Sequence, residues 1–108
     1  MNDELKTRIT QTIGSKRIML FMKGNPSMPQ CGFSAAVVSI LKDVGVDYGS
    51  FNILADQEMR EGLKEYSSWP TFPQLYVDGQ LVGGCDIVRE MHAKGELAPL
   101  LKAAPAAS

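Results

Sequence analysis

The stretch KGNPSMPQCGFS occupies residues 23–34 and joins two segments with different apolar patterns. Before it, residues 18–22 form a short continuous apolar run, which is typical of a strand covered on both faces. After it, apolar side chains recur at the spacing of one buried helix face: Val37, Ile40, Leu41 and Val44. The sequence therefore predicts a strand, a loop with prolines and a helix that begins close to Cys31.

Cys31 stands where this loop meets the predicted helix. The first turn of a helix has unpaired backbone N–H groups and the positive end of the helix dipole, so it stabilises an anion. A thiolate is such an anion, and Lys23 at the end of the strand adds positive charge. These surroundings lower the pKa of a thiol and make it a nucleophile or a metal ligand. A buried, inert cysteine is the alternative, but a proline loop at a helix start is a poor place to bury one.

Ser34 occupies the position at which two-cysteine redox motifs have their second thiol. A mixed disulfide formed at Cys31 therefore has no resolving cysteine within the motif. A thiol from another molecule has to release it, so the predicted reactions of Cys31 are limited to those that use such a thiol.

The whole chain has the length and composition of one globular domain, residues 1–108. Its 11 basic and 12 acidic residues nearly balance, so charge gives no reason to expect binding to nucleic acid or to a membrane surface. No apolar segment is long enough for a signal peptide or a membrane span. We therefore expect a cytoplasmic protein, in which two cysteines indicate chemistry before they indicate a structural disulfide.

Apolar spacing and capping residues predict the other elements of the first half. Residues 3–13 have the pattern of a helix, and residues 48–54 that of a second strand. Asp56 is a good N-cap for a third helix. Three side chains of that helix are expected to face the core: Met59, Leu63 and Tyr66.

Two prolines interrupt the pattern at residues 69–73, which read WPTFP and cannot lie inside a helix. Beyond them, the pair Asp78-Gly79 is a strong turn signal. It predicts a hairpin formed by strands at residues 74–77 and 80–82.

The chain is expected to end in two helices. Asp86 is interpreted as the cap of a fourth helix, which ends at Gly95. A short last helix over residues 96–102 follows, and residues 103–108 are expected to fray. A right-handed crossover makes the first two strands parallel, and the hairpin adds two antiparallel strands. The predicted fold class is therefore α/β, with a four-stranded mixed sheet and helices on both faces. Cys31 then lies at the carboxyl end of the first strand, where open α/β sheets bind ligands.

Four motifs occur in an order and at a spacing that are similar to those of one protein family: Lys23, CGFS at 31–34, WPTFP at 69–73 and GGCD at 83–86. On these motifs, which extend over most of the chain, the sequence resembles a monothiol glutaredoxin of the CGFS type, with a thioredoxin-like fold. The resemblance implies a cis bond before Pro73, facing the active cysteine. It also implies glutathione-binding positions at five residues: Lys23, Arg60, Phe72, Cys85 and Asp86.

The same residues match the groups of glutathione. A cis bond at Pro73 turns backbone groups outward, where they pair with an extended peptide. Gly84 lets backbone approach a ligand, and the following helix start offers N–H groups to a carboxylate. Asp86 either accepts an ammonium group or serves as a cap alone. Arg60 and Lys64 either hold a second carboxylate or form a solvated helix face.

An iron–sulfur cluster takes four thiolates, and one chain offers one exposed thiol, Cys31. Two chains and two glutathiones supply four. This count agrees with what the resemblance implies, a 2Fe–2S cluster that bridges a homodimer, with a monomer when the cluster is absent. The implied partners are apo iron–sulfur proteins and BolA-like proteins. Cys31 is thus the predicted metal ligand of an iron–sulfur carrier.

Two other functions stay open at this point. The first alternative is a glutathione-dependent thiol–disulfide oxidoreductase that removes glutathione from protein thiols through Cys31. The resemblance implies that this activity is weak. The second is an adaptor switched by a disulfide between Cys31 and Cys85, although Cys85 also has the character of a small buried side chain.

Overall fold

A computed structural model describes residues 1–103, so the predicted frayed tail lies outside the described residues except for Ala103. Two-residue strands and a 3-10 helix accompany the longer elements. In chain order the elements are α1 (Asp3–Ile13), β1 (Ile18–Met22), β2 (Gly24–Asn25), β3 (Met28–Pro29), α2 (Gly32–Val44), β4 (Gly49–Asn52), the 3-10 helix (Ile53–Ala55), α3 (Gln57–Ser67), β5 (Gln74–Val77), β6 (Gln80–Gly83), α4 (Cys85–Ala93) and α5 (Leu97–Lys102).

The main sheet has four strands in the order β4-β1-β5-β6. β4 runs parallel to β1, whereas β5 is antiparallel to both β1 and β6. The turn between β5 and β6 has positive φ at Asp78 (51°) and Gly79 (80°), which is the geometry of a two-residue hairpin turn. The predicted mixed sheet and its hairpin are therefore confirmed, with the hairpin strands within one residue of their expected ends.

Alternating side chains of β1 divide the core into two layers. Ile18, Leu20 and Met22 pack with α2, α4 and α5 on one face of the sheet. Met19 and Phe21 pack with α1 and α3 on the other face. All five residues of β1 are buried, as the continuous apolar run predicted. The sheet thus has helices on both faces, and the carboxyl end of β1 is the point from which the loop to α2 departs.

The second strand is shorter than predicted, because β4 ends at Asn52 and a 3-10 helix follows. The side-chain oxygen of Asn52 accepts hydrogen bonds from the N–H groups of Leu54 and Gly24, both at 3.0 Å. The first bond caps the 3-10 turn, and the second ties the end of the strand to the loop after β1. Ile53 is still buried, but from the turn and not from the strand.

The loop between β1 and α2 contains a small ribbon, β2–β3, that the sequence pattern did not predict. Asn25 organises it, since its side-chain oxygen accepts from the N–H of Met28 at 2.9 Å and the hydroxyl of Ser27 at 2.7 Å. The N–H of Gln30 then donates to the carbonyl of Lys23 at 2.8 Å. Strands of two residues are too short to show a period in the sequence.

Helix α3 begins as predicted, with the Asp56 side chain accepting from the N–H of Met59 at 3.0 Å. Met59 and Leu63 are fully buried. The prediction that Tyr66 belongs to the core is wrong, because this side chain is 36% exposed. Burial along α3 stops at Leu63, so the last turn extends beyond the layer that α1 and α3 form together. Within residues 1–103, no helix has the length and apolar character needed to cross a membrane.

Candidate functional site

A cleft of about 450 Å³ opens at the carboxyl end of β1. Four chain segments form it: the residue that follows β1, the start of α2, the loop from Trp69 to Pro73, and the start of α4. The wall is mostly apolar, with charged groups from Lys23 and Asp86. Six of the eight predicted site residues line this cleft: Lys23, Phe72, Pro73, Gly84, Cys85 and Asp86. The peptide bond between Phe72 and Pro73 is cis, as expected.

Cys31 is the N-cap residue of α2, two positions before Phe33, which also lines the cleft. Its sulfur makes no capping hydrogen bond of good geometry, but several groups close to it favour the thiolate. The backbone N–H of Ser34 has the largest effect on the pKa of the Cys31 thiol, which it lowers. Partial burial raises this pKa, and the N–H of Phe33, the charge of Lys23 and the hydroxyl of Ser34 lower it further. The net direction is downward, as predicted from the helix start.

Cys85 is the other thiol, and both cysteines are free. It is the first residue of α4 and is only 7% exposed, packed in the core layer of α2, α4 and α5. Burial raises the pKa of the Cys85 thiol, and the nearby charge of Asp86 and of Cys31 raises it further, while Arg89 lowers it. Cys85 therefore has the surroundings of an unreactive thiol, in contrast to Cys31.

The start of α4 differs from the prediction, since Gly84 and not Asp86 is its N-cap residue. Asp86 lies in the first turn and makes no side-chain cap bond, because the N-cap lies two residues earlier than predicted. Its carboxylate is exposed and forms no ion pair within residues 1–103. A carboxylate here is favoured by the positive helix end and is available to an ammonium group in the cleft.

The neighbours of Gly83 and Gly84 are protein groups that shape the cleft. A Cβ atom on Gly84 would lie 3.2 Å from both the Pro73 carbonyl oxygen and Trp69 Nε1. At Gly83, where φ is 148°, a Cβ atom would lie 2.7 Å from Ile87 Cδ1. The absence of side chains therefore lets the Trp69–Pro73 loop approach the start of α4, and it leaves room for Ile87.

Besides Cys31, Arg60 is the other predicted site residue that does not line the cleft wall. It lies half-buried on α3, and its neighbour Lys64 pairs with Glu61 at 2.6 Å. The solvated-face interpretation of Lys64 is thus supported. A contact between Arg60 and a ligand stays a prediction.

Two buried polar residues of the site were missed in the sequence, Ser34 and Gln74, both with no exposed surface. The sequence marks Ser34 only as the residue in the position of a second cysteine. Gln74 interrupts an apolar strand directly after Pro73, and a polar residue in such a run was the available signal.

This fold has a thiol of lowered pKa at a helix start and a cis-proline loop in the wall of the adjoining cleft, and these features define a thiol protein of the thioredoxin-like class. Comparison with known proteins specifies the family. The family model for glutaredoxin matches residues 18–82. A monothiol glutaredoxin of Synechocystis is 51% identical over 104 residues, covering 96% of this chain and 97% of its own length. The chain belongs to the glutaredoxin family, and it is a monothiol glutaredoxin of the CGFS type.

Longer relatives and a solved structure agree with this assignment. Monothiol glutaredoxin-S17 of Arabidopsis thaliana is 58% identical over 100 residues, which cover 93% of this chain but only 20% of that protein. The chain thus spans about a fifth of that relative. The solution structure of reduced apo GrxS14 from poplar has 54% identity and a TM-score of 0.76, covering 87% of this chain and 86% of its own.

Proposed function

We propose that this glutaredoxin binds glutathione in the cleft and transports a 2Fe–2S cluster held between two subunits. The observation behind the proposal is the single accessible thiol of favourable pKa, Cys31, beside a cleft with charged and backbone groups for a small peptide. The cluster is cargo that each subunit holds with one thiolate and one bound glutathione.

Glutathione fits the cleft group by group. Lys23 supplies a cation for one carboxylate, and the free N–H groups at the start of α4 suit the other. The carboxylate of Asp86, which lines the cleft, suits the ammonium group. The backbone beside the cis bond of Phe72–Pro73 suits the peptide-like part of the ligand. Its thiol would then lie near Cys31.

The number of ligands explains why two subunits are needed. A 2Fe–2S cluster takes four thiolates. Cys85 is buried with a raised pKa, so each chain offers Cys31 alone. Among residues 1–103, no three His, Cys, Asp or Glu side chains come together as a metal site. Two copies of Cys31 and two glutathione thiolates complete the set, which gives a dimer with cluster and a monomer without it.

The proposed setting follows from the same chemistry. Two free cysteines suit a reducing compartment such as the cytoplasm. We propose residues 1–108 as one glutaredoxin domain that delivers clusters to apo iron–sulfur proteins, with BolA-like proteins as further partners.

The low pKa of Cys31 also favours a second function, removal of glutathione from proteins. The Cys31 thiolate would attack the glutathione sulfur of a mixed disulfide, forming a new disulfide and expelling the protein thiolate. The thiolate of a second glutathione would then attack that disulfide, releasing oxidised glutathione and restoring Cys31. No resolving cysteine is required.

Anaerobic reconstitution separates the two functions. Reduced protein is incubated with ferrous iron, sulfide and glutathione, and then sized by gel filtration. The carrier function predicts a brown dimer with two glutathiones per dimer, no assembly without glutathione, and return to monomer when iron is removed. Rapid turnover of a glutathionylated peptide by a colourless monomer would instead support the oxidoreductase. A brown monomer, or a cluster assembled without added thiol, would contradict the proposed carrier.

A further inference from the structure

Gln74 is a polar side chain with no exposed surface, placed at the start of β5 directly after Pro73. Its side-chain Nε2 donates to the carbonyl of Trp69 at 3.1 Å and to the carbonyl of Thr71 at 3.3 Å. Its Oε1 accepts from the hydroxyl of Tyr76 at 2.9 Å. A buried amide without partners is costly, and here both N–H groups and the oxygen are used.

The contacts determine the orientation of the amide. Two carbonyl groups face Nε2, so the opposite end must be the oxygen that accepts from Tyr76. Tyr76 is 2% exposed, and burial raises the pKa of its hydroxyl to about 12, so the hydroxyl remains a donor at neutral pH. Gln74 thereby connects the core to two carbonyls of one loop.

That loop forms a wall of the cleft through Trp69, Phe72 and Pro73. The first residue of the loop is held as well, since the N–H of Trp69 donates to the Ser67 hydroxyl at 3.1 Å. The indole Nε1 lies 3.2 Å from the position of a Cβ atom on Gly84, so the loop has little room to move toward α4. A shift of the loop would change the outline of the cleft directly.

We propose that Gln74 is a positioning residue for glutathione: by holding the carbonyls of Trp69 and Thr71, it aims the Phe72–Pro73 backbone at the ligand. This inference rests on the proposed binding of glutathione in the cleft. It assigns a binding function to a side chain that lies beneath the cleft and does not line it.

The test compares two mixed disulfides at Cys31. Wild type and Gln74→Leu are equilibrated with oxidised and reduced glutathione, and separately with hydroxyethyl disulfide and its thiol, well below the melting temperature. Mass spectrometry gives the two equilibrium constants. Loss of the amide should lower the constant for glutathione by about tenfold, the size expected from misplacing one or two hydrogen bonds. The constant for hydroxyethyl disulfide, which has no peptide group to align, should not change.

Two further variants make the result decisive. Leu101→Ala destabilises the core on the opposite face of the sheet and should leave both constants at wild-type values. Tyr76→Phe removes only the hydroxyl that anchors Gln74, and it should lower the glutathione constant about threefold. It decides the matter if Gln74→Leu fails to fold.

The deciding quantity is the ratio of the glutathione constant to the hydroxyethyl disulfide constant. If this ratio were the same in wild type and in the folded variants, the assignment of Gln74 would be overturned, while glutathione binding would remain intact. A wild-type protein without any preference for glutathione would instead contradict the proposed function, and this inference with it.

Discussion

The hydroxyl oxygen of Ser34 accepts a hydrogen bond from the backbone N–H of Lys23 at 3.1 Å. This bond joins the first turn of α2 to the end of β1 across the loop that contains β2 and β3. Ser34 is fully buried, and its N–H and hydroxyl both lower the pKa of Cys31. The residue that stands in place of a second cysteine therefore helps to form the thiolate of the first.

Ser34→Ala should raise the pKa of the Cys31 thiol, because the variant loses the hydroxyl near the sulfur and loosens the tie to β1. The rate of alkylation by iodoacetamide as a function of pH measures this pKa. Ser39→Ala, an exposed serine on the same helix, is the matched control and should titrate like wild type. An unchanged midpoint in Ser34→Ala would remove the hydroxyl from the explanation.

Lys23→Gln should also raise the pKa of Cys31, since the positive charge of Lys23 favours the thiolate. The same alkylation experiment applies, repeated at high salt. Screening by salt should reduce the difference between wild type and variant, because the effect is electrostatic. Lys42→Gln, at the other end of α2, should have no effect. A difference that persists unchanged in molar salt would indicate a structural cause.

Cys31→Ser should abolish both cluster assembly and mixed-disulfide formation. Cys85→Ser should weaken them at most, because Cys85 is buried and its pKa is raised. Visible absorption after anaerobic reconstitution and mass spectrometry after treatment with oxidised glutathione give the two readouts. If Cys85→Ser alone removed the visible absorption, the assignment of the cluster ligand would be wrong.

Asp86→Asn should weaken glutathione binding more than Arg60→Gln does. Asp86 lines the cleft with a free carboxylate, whereas Arg60 does not line it. Loss of one exposed ion pair corresponds to about 1 kcal/mol, or roughly fivefold in the mixed-disulfide equilibrium constant. Glu90→Gln, further along α4, is a charge-matched control. A larger loss in Arg60→Gln would place the second carboxylate of glutathione on α3.

Asp56→Ala should lower the free energy of unfolding by about 1 kcal/mol at neutral pH, the usual effect of losing an N-cap. The hydrogen bond from Arg8 and the N–H of Met59 hold the pKa of the Asp56 carboxyl below its ordinary value. A lowered folded-state pKa means that the stabilisation is present above the unfolded-state pKa of about 3.9 and is lost as pH falls through the folded-state value. Urea unfolding measures the free energy of unfolding at neutral pH and at about pH 3. The difference between the variant and wild type should be smaller at the lower pH. A difference independent of pH would show that the charge of Asp56 is unimportant.

Much of the fold could be predicted because its signals are local. The buried run of β1, the cap at Asp56 and the turn at Asp78 each depend on residues a few positions apart. Six of the eight predicted site residues meet in one cleft because strand order and a right-handed crossover determine where the loops lie. The positions of β4, β2 and β3 were less predictable, since single side chains such as Asn52 and Asn25 end or pair these short strands.

Sequence patterns alone predict the order of the longer elements, the position of Cys31 at a helix start and the lack of a resolving cysteine at Ser34. The partners of the buried polar groups, in contrast, become visible only in the folded chain. The hydroxyl of Ser34 meets the backbone of Lys23, and the amide of Gln74 meets the carbonyls of a loop. Periodicity reports which face of an element is apolar, but a hydrogen bond depends on distance and direction between atoms. Those are set when the helices and the loop pack against the sheet.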